Sequence, residues 1–115
     1  MKTFYDRVFN ATVGIRVSKP DNHYLDASCE VQEKKTKKGI LVIYIVTIEN
    51  KKDFYGLLHE TLHLVKNIFA DRRIAFTAEN DEVIAYYQTY WFKILWRAIN
   101  KRAQKEVGEN EENNT

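Results

Sequence analysis

Residues 59–63 read His59-Glu60-Thr61-Leu62-His63, an H-E-x-x-H run set inside a longer helical pattern. Leu58, Leu62, Val65 and Phe69 recur at helical spacing, and Leu57, Leu64 and Ile68 widen the apolar stripe. Asn50 followed by Asp53 offers an Asx N-cap with an acid three residues on. The spacing predicts a helix over 51–70 with the run in its middle. Two histidines four apart on a helix differ in heading by about 40°, so both imidazoles leave one face. They can then meet one tetrahedral cation at about 2.0–2.1 Å. Glu60, about 100° further round, can reach a metal-bound water without being a ligand, which is the position of a general base. The same five residues also suit a plain amphipathic helix with two exposed histidines.

Upstream of this helix the periodicity changes to two. Residues 11–18 alternate, with Val13, Ile15 and Val17 on one side, and read as a strand. Residues 19–22 hold the only proline and read as a turn. Residues 24–34 alternate less cleanly and suggest a strand with one wet face. Residues 40–48 (Ile-Leu-Val-Ile-Tyr-Ile-Val-Thr-Ile) are β-branched and apolar on both faces, so this strand should be central or covered on both sides. Residues 2–10 fit either a short helix or a strand. A second helix is predicted over 81–104. Its run of Tyr86, Tyr87, Tyr90, Trp91, Phe92 and Trp96 leaves almost no polar face before Arg97. Three strands and two helices give an α+β domain over 1–104, with the helices packed on a mainly antiparallel sheet.

Composition sets the bounds. A chain of 115 residues, 44% hydrophobic and 30% charged, is one globular domain with a modest core. No run approaches the roughly 20 apolar residues of a membrane span, and the N-terminus lacks a signal-peptide pattern. The lone Cys29 has no internal disulfide partner, which favours a reducing, cytoplasmic setting. Net charge is +2; the tail 105–115 has one Lys against four Glu, or −3, which leaves +5 on residues 1–104. That acidic tail is expected to be disordered. The basic cluster Lys34, Lys35, Lys37 and Lys38 reads as a solvated hairpin turn around Gly39, and no nucleic-acid surface is expected. The surplus aromatics of the second helix favour a homodimer contact.

A catalytic zinc usually has three protein ligands and an open position. One further histidine exists, His23, and the downstream acids are Asp71, Glu79, Asp81 and Glu82. Eighteen residues separate His63 from Glu82, which gives H-E-x-x-H-x18-E. Glu82 lies in the run Asn80-Asp81-Glu82-Val83-Ile84-Ala85-Tyr86. Over about residues 40–96 this resembles the gluzincin metallopeptidases, in particular the single-domain minigluzincins and short H-E-x-x-H proteins of phage genomes.

The resemblance implies zinc held by His59, His63 and Glu82, with Glu60 as base, and a peptide or protein substrate. It departs from the family where an Asp is usual four residues after the ligand glutamate; here Tyr86 stands, either a weak partner for an imidazole N–H or an oxyanion donor. Tyr90, His23, Arg72 and Arg73 are the other oxyanion candidates, and Asn67 is a further partner for a zinc histidine. The alternative is a metal-binding or host-factor interaction protein on the same scaffold that turns nothing over.

Overall fold

The fully apolar run at 40–48 becomes the centre of the sheet. In the computed structural model, which describes residues 1–19 and 27–100, strand β4 spans Gly39–Ile48 and is hydrogen-bonded on both sides. Its partners are β2 (Ala11–Val17), which runs parallel to it, and β3 (Ala27–Thr36), which runs antiparallel. Tyr44, Val46 and Ile48 enter the main core, while Ile45 and Thr47, on the opposite face, are also buried. A strand covered on both faces has no use for polar residues, and this one carries almost none.

The sheet has four strands in the order β1-β2-β4-β3, one more than the sequence pattern suggests. The fourth, β1 (Lys2–Asp6), settles the ambiguous N-terminal stretch in favour of strand by pairing antiparallel with β2. The Asp6 carboxylate fixes the turn between them, accepting from the backbone N–H groups of Val8 (3.2 Å) and Phe9 (3.1 Å). Asn10 completes it at φ 53°, a left-handed conformation that Asn tolerates well. Gly14 in β2 has a different reason to be glycine: a Cβ there would lie 2.7 Å from the Met1 sulfur packed over it. The domain is therefore α+β, with a mixed sheet in which two of three pairings are antiparallel.

Both helices cover one face of this sheet. Helix α1 (Phe54–Asp71) lies against β4 and β3, and α2 (Asp81–Ile99) reaches β2. α1 starts three residues later than the pattern suggests because Asp53 is the cap, its Oδ1 accepting from Gly56 N at 2.9 Å. Asn50 instead closes the preceding turn. The far end is a Schellman motif: Ile74 N donates to Phe69 O, Arg73 N donates to Ala70 O, and Arg73 takes the left-handed φ of 57°. Arg72 then donates to the carbonyls of Phe9 (2.7 Å) and Asn10 (2.6 Å), tying the helix end to the β1–β2 turn. Arginines that satisfy carbonyls in this way are structural.

The helices run antiparallel, joined by aromatic contacts. Phe54 meets Phe92 and Trp96, and Phe69 stacks on Tyr87. The strongly apolar second helix thus spends its length on two jobs. Tyr87, Trp91 and Leu95 enter the core, and Phe92 and Trp96 cover the start of α1. α2 ends at Ile99, where Asn100 donates to Trp96 O. Positions 101–104, the tail 105–115, the turn at 20–22, His23 and the predicted strand start at 24–26 lie outside the described residues.

Tyr44 joins sheet to helix through its hydroxyl, which donates to Asp71 at 2.5 Å. Burial first, and then the Asp71 carboxylate, push its ionisation up to about 12 from the usual 10.0. A tyrosine that resists ionisation in the fold contributes stability below its unfolded value, and that contribution is lost as pH rises through about 12. Urea unfolding at pH 8 and pH 11 should therefore show a larger alkaline loss for the natural chain than for Tyr44→Phe.

Candidate metal centre

Helix α1 sorts its residues by heading. Leu57, Thr61, Leu64, Val65, Ile68 and Phe69 are buried, and His59 and His63 are left in solvent. Phe54 and Phe69 mark the side of α1 that meets α2. His59 is five residues from Phe54 and His63 six from Phe69, so both imidazoles point about 120–140° away from that seam. They lie on the flank towards β3, the outer strand of the sheet.

On that flank the two rings converge. His59 Nε2 and His63 Nε2 are 3.1 Å apart, with the rings edge to face at 4.8 Å. Two nitrogens bound to one tetrahedral zinc at about 2.05 Å would be about 3.3 Å apart. The spacing suits either one proton shared between the nitrogens or one cation held by both. Glu60 distinguishes this arrangement from a pair of surface histidines. Its ligand oxygen lies within 4.8 Å of the imidazole nitrogens, and the residue is only 8% exposed. Among the described residues no hydrogen-bond donor or ion-pair partner reaches its carboxylate. Two imidazole nitrogens are donors that zinc takes, and the Glu60 carboxylate stands beside them without having to be a ligand.

The neighbouring strand closes the inner side. Asn67 extends its Nδ2 to within 3.8 Å of the Cys29 sulfur on β3, and is thereby placed against the strand. Burial foremost, with the negative charges of Glu60 and Glu30 adding, pushes the Cys29 thiol up to about 12, while Asn67 pulls the other way. A thiol held protonated is a packing group and not a ready ligand or nucleophile.

Glu82 is not part of this group. It is exposed in the first turn of α2, nine residues before the fully buried Trp91 and so about 180° round the helix from the core face. Its level is wrong as well. Tyr87 sits opposite Phe69, His63 lies six residues towards the start of α1, and Glu82 lies five residues towards the start of α2. In antiparallel helices those offsets add, to roughly 16 Å along the axes. Asp71, Glu79 and Asp81 also fall outside the group. Tyr86 and Tyr90 line a separate cleft with Asp6 and Phe9, away from the imidazoles. Asn80 holds the N-cap position of α2 without a side-chain cap bond, its side chain donating to Ala75 O.

No protein-family model, no curated protein and no solved structure matches the chain. Among the described residues no helix is long and apolar enough to cross a membrane.

Iodoacetamide should modify Cys29 far more slowly in the folded chain at pH 8 than in the urea-unfolded chain. Mass spectrometry of timed samples reads the ratio, and equal rates would contradict the burial that raises the thiol.

Proposed function

We propose that the chain is a zinc-dependent hydrolase of peptide bonds, with His59 and His63 as the imidazole ligands and Glu60 as the proton acceptor. The observation that supports this most is the pair of ring nitrogens 3.1 Å apart with the Glu60 carboxylate beside them. Zinc bound there would polarise a substrate carbonyl and acidify a water. Glu60 would take the proton of that water and return it to the leaving amine. β3 is an edge strand running past Asn67 and Glu60, so an extended peptide can add to its free side, with backbone hydrogen bonds setting its register.

The gluzincin resemblance assigns the third ligand to Glu82, and that assignment rests on sequence spacing alone. The position of Glu82 favours a second reading, in which the chain binds zinc on the same helix and acts by contact with a partner, without turnover. A cytoplasmic setting and a homodimer formed through the aromatic α2 belong to either reading; light scattering of the purified chain should give twice the 13.6 kDa chain mass.

Metal content and a point substitution separate the readings. The natural chain should carry one zinc, His59→Ala and His63→Ala should lose it, and Glu82→Ala should keep it if the helix geometry governs. Glu60→Gln should keep zinc and fold while lowering peptide hydrolysis by about a hundredfold or more. A biological effect that survives Glu60→Gln identifies the non-catalytic reading.

A further inference from the structure

A second cleft, of about 280 Å³, opens between the β1–β2 turn and the first turns of α2, and it shares no residue with the histidine pair. Its walls are mainly aromatic. Phe9 lies 4.6 Å from Tyr87 between ring centroids, and Tyr87 is stacked parallel to Tyr90 at 6.1 Å. Tyr86, one turn before Tyr90, adds an exposed ring at the mouth. In this apolar lining sits one charged side chain, Asp6, which is 5% exposed.

Three donors hold the Asp6 carboxylate: Val8 N, Phe9 N and the Tyr87 hydroxyl at 2.7 Å. All three are neutral, so they fix the carboxylate without cancelling its charge. Its field reaches the cleft walls. Burial first, and the Asp6 charge after it, push the Tyr90 hydroxyl above its usual range, and Tyr87 moves the same way with a hydrogen bond to Asp6 contributing.

We propose that this cleft binds a small alkylated ammonium group, seated against the exposed rings of Tyr86 and Tyr90 with Asp6 as its counter-charge. Ring faces are negative and attract cations, most strongly where water is excluded. An anion would meet both the ring faces and Asp6 unfavourably. A primary ammonium needs hydrogen-bond acceptors that ring faces do not supply, whereas a methylated one presents apolar methyls to them. The volume lies just below the range of about 300 Å³ and upward typical of drug-sized ligands, which suits a head group and not a large molecule.

Two probes distinguish a free ligand from a modified side chain: choline chloride, and a short peptide carrying trimethyllysine. The controls are 3,3-dimethylbutan-1-ol, the uncharged carbon analogue of choline, and the same peptide unmethylated. Titration followed by tyrosine ring resonances should show at least one methylated probe binding and both controls failing to compete. Tyr86→Ala, at a largely exposed position and therefore compatible with the fold, should weaken that binding by about tenfold, as loss of one cation–π wall predicts. The proposal is overturned if the neutral analogue binds as well as choline, if neither methylated probe moves the tyrosine resonances, or if Tyr86→Ala binds like the natural chain.

Discussion

Burial of one face of α1 against β4 is the constraint from which the other features follow. Leu57, Leu64, Val65, Ile68 and Phe69 are fully excluded from water there, together with Tyr44, Val46 and Ile48 from the strand. At about 25 cal/mol per Å² of apolar surface, a face of that size outweighs any local preference of the polar residues on the same helix. The helix cannot rotate about its axis without exposing this face, so the headings of its remaining side chains are fixed as well.

The candidate metal centre is a by-product of that fixed rotation. His59 and His63 are carried out on the flank beside β3, and Glu60, a step further towards the sheet, is carried into partial burial. The proposed chemistry would draw on this graded exposure. Imidazoles that face solvent would remain accessible to a metal, with the Glu60 side chain beside them at the boundary of helix and sheet. Cys29 and Asn67 meet on the inner side of the same flank.

The β1–β2 turn does a different kind of work, because both helices are fastened to it. Arg72 at the end of α1 donates to its carbonyls, and Tyr87 near the start of α2 donates to Asp6. Five residues that look featureless in the sequence thus join the sheet edge to both helices and form one wall of the aromatic cleft. Asp6 gave no sequence signal of this, since its partners lie up to 81 positions away.

The sequence by itself determined the strands read at 11–18 and 40–48, each within a residue of its observed ends, the two helices, the central place of β4 and the shared heading of His59 and His63. Each of these follows from local periodicity, which is a property of neighbours along the chain. Only the tertiary structure decided which side of α1 receives α2, and therefore how far Glu82 stands from the histidines. The eighteen residues between His63 and Glu82 fix a length of chain. They do not fix the rotation or level of the second helix, which the packing of Trp91, Tyr87 and Phe92 sets. The same holds for β1, whose short ambiguous stretch becomes a strand because β2 offers it an edge, and for the mixed sheet, because insertion of β4 between β2 and β3 depends on contacts far apart in sequence.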